Sequence, residues 1–183
     1  DFEGKAPLGF VGQVVDYYIT INDYEEGKIT AIEPVSDNVV YDFTGFQVTK
    51  ASVEEIIFDN NGKIRVKLDE ATRYIYNNRI DMGYTMSYNN INDNMVIRTV
   101  DNNDDGVAEV VYIYEYANCV VEKVYTQNNM VVLKDGYTFG KVKNIQLDSE
   151  KIYFEIYDSK GNLTDISAIT ENAVVSIAQS TNK

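Results

Sequence analysis

The chain has 183 residues, is 44% hydrophobic and 25% charged, and carries a net charge of −13. That is enough for one large or two small domains with a real core, while the acidity excludes nucleic acid as a partner, because phosphate neutralisation needs clustered Lys and Arg. With no His and a single Cys, the chain lacks the commonest general base and transition-metal ligand, and it can form neither an intrachain disulfide nor a Cys-based zinc site.

No apolar run approaches the roughly 20 residues a membrane helix needs, so direct membrane contact is not expected. The sequence starts at Asp1 rather than Met and shows no signal peptide. It reads as a piece of a longer or processed chain, so the missing targeting signal or anchor is uninformative.

Tyr, Val, Ile and Thr dominate, Tyr alone numbering 15. Short runs of these residues alternate with Asn, Asp and Gly clusters at spacings of about 8–12 residues, which is the pattern of an all-β protein. Residues 1–9 form a lead-in. Strands are predicted over 10–21, 28–33, 38–43 and 46–50, followed by a hairpin over 54–68 that turns at Asp59-Asn60-Asn61-Gly62. Asn-Gly supplies the positive φ angles a tight hairpin needs. Ser52-Val53-Glu54-Glu55 matches a helix capping box, yet the following Ile56-Ile57-Phe58 favours a strand. Further strands are expected over 73–76, 83–87, 109–116, 120–126, 130–134 and 139–147. A hairpin over 151–166 turns at Asp158-Ser159-Lys160-Gly161, and 174–178 closes the chain after a turn at Thr170-Glu171-Asn172. Cys119, in an apolar run with Val120 and Val121, reads as a small buried hydrophobe rather than a nucleophile.

Phe58-Asp59-Asn60-Asn61-Gly62-Lys63-Ile64 resembles Tyr157-Asp158-Ser159-Lys160-Gly161-Asn162-Leu163. Upstream, Asn38-Val39-Val40-Tyr41 answers to Asn129-Met130-Val131-Val132, and Ile29 to Ile32 answers to Val121 to Val124. Duplication would give two small antiparallel barrel or sandwich modules, 10–80 and 110–183, linked by strands in 81–109 that carry an acidic hairpin loop. The competing explanation is that any two β-hairpins share an aromatic-Asp-x-x-Gly turn.

That loop, Asp101-Asn102-Asn103-Asp104-Asp105-Gly106-Val107-Ala108-Glu109, is where residue type and spacing together imply chemistry. Asp101, Asn103 and Asp105 fall at positions 1, 3 and 5, so their short side chains can converge. Gly106 takes the sharp turn, Val107 offers a backbone carbonyl at position 7, and Glu109 a carboxylate at position 9. Oxygen ligands at alternate positions followed by glycine suit a hard cation such as Ca²⁺. An EF-hand would place Glu at position 12 between helices, whereas Tyr112 stands there inside a strand. The loop instead looks like the β-hairpin version found in integrin α-subunit propeller repeats, with Glu109 where Asp is usual. A plain Asn/Asp turn would share its composition. Against that stands the mutual repulsion of three carboxylates at a tight tip without a counter-ion.

Tyr17, Tyr18, Tyr112, Tyr114 and Tyr116 could line a sugar-stacking platform, which makes a carbohydrate-binding module the alternative reading; such residues are more often half-buried packing on a sheet. Glu25-Glu26, Glu54-Glu55 and Asp104-Asp105 are adjacent carboxylates of the kind a glycosidase pairs, but chance pairs are expected in so acidic a chain.

In order, the chain shows Gly-x-x-Val-x-Tyr-Tyr, Ile-x-x-Ile-Glu-Pro, Asn-Val-Val, the acidic loop, Glu-Val-Val-Tyr-Ile-x-x-Tyr, and Glu-Asn-Ala-Val-Val-Ser-Ile-Ala-Gln-Ser. This series is similar to a β-rich region that accompanies S-layer homology domains in Gram-positive surface proteins, and the likeness runs from about Gly9 to Ser180. The resemblance implies an extracellular, non-catalytic module of the cell wall or S-layer, anchored elsewhere. Its partners would be cell-wall or surface polymers or other surface proteins, in a structural or adhesive role.

Overall fold

The structure is a computed structural model and describes residues 10–21, 27–80, 83–136, 142–152 and 154–179. The protein is all-β, as the composition and turn spacing predict; its helical pieces are three-residue 3₁₀ turns. The described residues fall into two compact units, divided between Glu115 and Tyr116.

The first unit holds β1 (Val15–Ile21), β2 (Gly27–Pro34), β3 (Val39–Thr44), β4 (Val48–Ala51), β5 (Glu55–Asp59), β6 (Lys63–Lys67), β7 (Arg73–Tyr76), β8 (Arg79–Ile80), β9 (Met95–Asp101) and β10 (Val110–Glu115). β1 and β2 form a two-stranded ribbon whose base is clamped by Asn38. Its side chain accepts from the Val14 N–H at 2.8 Å and donates to the Val14 carbonyl at 2.8 Å. Five strands form one sheet in the order β3-β9-β10-β7-β8, and β4-β5-β6 form a meander. The meander turns where expected, with Asn61 at φ +54° and Gly62 at φ +142°.

Period-two alternation decides how the two sheets pack. Met95 and Ile97 on β9 and Val111 and Ile113 on β10 face the meander, where they bury against Ile56, Phe58 and Val66. Phe43 stacks on Phe58 at 3.8 Å between ring centroids. Ile56, Phe58, Ile97 and Ile113 are fully buried, each worth about 1.5–3 kcal/mol of transfer free energy. On the reverse face Ile75, Val100, Val110 and Tyr112 make a smaller cluster. Residues 11–12 lie across it: the Tyr112 hydroxyl donates to the Val11 carbonyl, and Gly12 sits so close to Val110 that a Cβ would fall 2.5 Å from a Val110 methyl.

The second unit contains β11 (Ala117–Tyr125), β12 (Met130–Leu133), β13 (Asn144–Gln146), β14 (Ile156–Tyr157), β15 (Leu163–Thr164) and β16 (Val174–Ile177). Its sheet runs β13-β12-β11-β16, with β14-β15 a separate hairpin. Cys119, Val121, Val131 and Leu133 form the core. Cys119 is fully buried, and burial pushes its thiol pKa up, so it is the apolar filler the sequence suggests.

Several elements depart from expectation. Residues 83–87 are not a strand. Their apolar alternation is used for packing instead: Met86 enters the core and Tyr84 lies against Tyr74 and Tyr76. Residues 10–14 turn before β1 begins. The 46–50 strand starts late, because Gly45–Gln47 is a 3₁₀ turn in which the Gln47 side chain accepts from the Thr44 N–H at 2.9 Å. Ser52 makes no helix; its hydroxyl accepts from the Glu54 N–H, and β5 starts at Glu55.

Residues 81–109 were expected to link two modules, and 110 to open the second. Instead β9 and β10 sit inside the five-stranded sheet, and β7 pairs with β10 in parallel. That pairing needs a long crossover, which short-range turn signals do not announce. The strands matched by the internal repeat are also paired differently: β11 bonds to β12, whereas β2 bonds to β1 and β3 to β9. The lead-in 1–9 and Glu25-Glu26 lie outside the described residues, as does the start of the 139–147 strand.

Candidate metal centre

The acidic loop joins β9 to β10 at one end of the five-stranded sheet. Asp101 is the last residue of β9; it is paired with Val39 of β3 and only 5% exposed. At such burial a carboxylate must be met by hydrogen bonds, and the loop backbone supplies them. One oxygen accepts from the Asn103 and Asp105 N–H groups at 3.2 and 3.3 Å, the other from Gly106 at 2.7 Å. The chain can wrap a carboxylate this tightly because Asp104 and Gly106 both take positive φ, +57° and +83°.

The remaining polar groups follow the odd-numbered spacing. Asn103 Oδ1 accepts from the Asp105 N–H at 3.1 Å, and Asp105 Oδ1 from the Val107 N–H at 2.9 Å. Glu109 reaches back across the loop mouth, and its Oε2 accepts from the Asn102 N–H at 2.8 Å. Of the five residues singled out by spacing, Asp101, Asp105 and Glu109 are brought together. Each offers a carboxylate oxygen within 4.8 Å of the others. Two oxygens bound to one Ca²⁺ at about 2.4 Å stand no more than about 4.8 Å apart, so the three fit a single ion of that size. Asn103 is present at the loop but spends its oxygen on the Asp105 N–H.

Val107 is placed by a contact that the spacing does not reveal. Lys67, at the end of β6, brackets it in a parallel bridge, donating to the Gly106 carbonyl at 3.1 Å and accepting from the Ala108 N–H at 3.0 Å. In such a bridge the middle residue turns its own N–H and C=O away from the partner strand. The Val107 N–H accordingly meets Asp105. Thr72 donates its hydroxyl to the Ala108 carbonyl at 2.8 Å, and the Arg73 N–H donates to the Glu109 carbonyl at 2.8 Å. The loop's return limb is therefore pinned to the meander through Lys67 and to β7 through Arg73. Sequence reasoning missed Lys67, Thr72 and Asn102, because their roles are main-chain or long-range contacts that no residue-type pattern carries.

The three convergent carboxylates are hard oxygen ligands of the kind Ca²⁺ takes. The other candidates are dispersed. Tyr112 is buried while Tyr17 and Tyr18, consecutive on β1, point to opposite faces, so the five tyrosines do not share one platform. Glu55 is buried and bonded to both Lys50 and Arg65, which holds its carboxyl below the usual range, so it acts as a structural ion-pair centre. Compared with protein-family models, curated proteins and solved structures, the chain matches none.

Proposed function

We propose that this chain is a non-catalytic, Ca²⁺-stabilised β-module of a bacterial cell-surface protein, with a structural or adhesive role in the wall or S-layer. The observation that carries the proposal is the convergence of Asp101, Asp105 and Glu109 within 4.8 Å at the point where the hairpin is tied to the meander. An ion there neutralises three mutually repelling carboxylates and locks two sheets together, which is a stabilising rather than a catalytic arrangement. Millimolar Ca²⁺ outside the cell would keep such a site filled even at modest affinity. The chain's acidity and its resemblance to regions beside S-layer homology domains support the same setting.

Thermal unfolding in Ca²⁺ against chelator tests the reading. At 100 times Kd the ion contributes about 2.7 kcal/mol, which raises the midpoint of the first unit by several degrees. Asp105→Asn keeps the hydrogen bond to Val107 and removes one charge, so it should abolish most of the Ca²⁺ response. An unchanged wild-type midpoint sinks the proposal.

A further inference from the structure

A cleft of about 330 Å³ opens on the reverse face of the five-stranded sheet, away from the main core. It is lined by Ile75 of β7, Val110 of β10, Ile80 and Val11, with Asn102 among its polar members. Register places Arg73 beside Val110 on that same face, and Arg73 lines the cleft with Glu109. Arg73 has no ion pair or side-chain hydrogen bond among the described residues. Arg65 is taken by Glu55 and Arg98 by Asp42, while Arg73 stands at an apolar cleft with its planar fork uncommitted. A guanidinium in that position suits a carboxylate, which it can meet with two parallel hydrogen bonds.

We propose that this cleft binds a small aliphatic monocarboxylate, with the carboxylate on Arg73 and the apolar body on Ile75, Val110 and Ile80. Three features select this ligand class. Most of the lining is apolar, so the body is aliphatic. The volume lies at the low end for ligand pockets, so the ligand is fragment-sized. Arg73 is the one guanidinium lining the cleft, so the ligand carries one carboxylate. The chemistry is shared by a peptide C-terminus ending in an aliphatic residue and by a short fatty acid. The inference does not rest on the metal reading.

Amide NMR of the full chain, titrated with millimolar N-acetyl-leucine, N-acetyl-leucinamide and hexanoate, tests it. The acids should shift Gly12, Ile75 and Val110 with millimolar affinity, and the neutral amide should bind at least about tenfold more weakly. Arg73→Gln should erase the preference for acid over amide, and Ile80→Asp should weaken both acids, with each variant's spectrum otherwise preserved. N-acetyl-leucine binding more tightly than hexanoate identifies the peptide terminus as the source, and the reverse identifies the fatty acid. No shifts at the cleft, equal binding of acid and amide, or a preference that survives Arg73→Gln would overturn the proposal.

Discussion

The carboxylate of Glu109 accepts the backbone N–H of Asn102 at 2.8 Å, so the residue that closes the loop also fixes its second position. The two duties are separable by substitution. Glu109→Gln keeps an acceptor for Asn102 and removes a charge, and should leave the apo stability within about 1 kcal/mol while sharply reducing any Ca²⁺-induced rise in midpoint. Glu109→Ala loses both and should also destabilise the apo protein, by about 1–2 kcal/mol. Denaturant titration with and without Ca²⁺ separates them. A Gln variant that responds to Ca²⁺ like the parent excludes Glu109 as a ligand.

Gly45 packs against the main chain of a distant turn. A Cβ there would stand 1.9 Å from the Asn92 carbonyl oxygen and 2.9 Å from its carbon. Backbone cannot rotate aside as a flexible side chain would, so Gly45→Ala should cost upwards of about 1–3 kcal/mol. Gly27→Ala, where a Cβ meets nothing within 4 Å, is the control and should be near neutral. Urea midpoints measure both.

Glu55 introduces an acid-side dependence. Hydrogen bonds from Arg65, then Lys50, hold its carboxyl pKa below the ordinary value. A depressed folded pKa means the contribution is complete above the unfolded value of about 4.5 and is lost as pH falls through the folded one. Stability of the parent should therefore fall as pH drops below about 4.5, and Glu55→Gln should show a shallower fall. Parallel acid-unfolding curves for the two proteins would refute this.

Tyr112 makes the matching prediction at high pH. Burial, and to a smaller extent Tyr114, raise its hydroxyl pKa to about 12 from 10.0. The folded state holds the proton more tightly than the unfolded chain, so this contribution is intact below pH 10 and is lost as pH rises toward 12. Burial also raises the Tyr74 hydroxyl, so ultraviolet titration should show a late-ionising tyrosine component, and Tyr112→Phe should remove its latest part. The variant also frees the Val11 carbonyl from its hydroxyl donor, so exchange of the amides near residue 11 should quicken.

Local chemistry was legible in this sequence and long-range assembly was not. The Asn61-Gly62 hairpin, the Asp158 turn and the alternating strands all declare themselves through residues a few positions apart. The acidic loop was legible for the same reason: Asp101, Asp105 and Glu109 lie within nine residues, and their spacing anticipates their meeting. What holds that loop in place was hidden. Lys67 is some forty residues from Val107, and the bond is between main chains, which every residue possesses. The strand expected at 83–87 failed on a related point: period-two apolar alternation records which side chains are buried, and Met86 is buried without a ladder partner. The unit boundary was misplaced because β7 joins β10 in parallel, a pairing that has no turn to mark it.

The order of strands in the five-stranded sheet also sets a schedule for synthesis. β3 ends at Thr44, and its partner β9 begins at Met95. At ordinary translation speeds the earlier strand waits roughly 3–10 seconds for the later one to emerge. Throughout that interval Val39 to Thr44 presents an unfilled edge on the nascent chain, and the bond network that ends at Asp101 does not yet exist. The first unit therefore folds as a late, collective event, completed only after β9 and β10 have emerged.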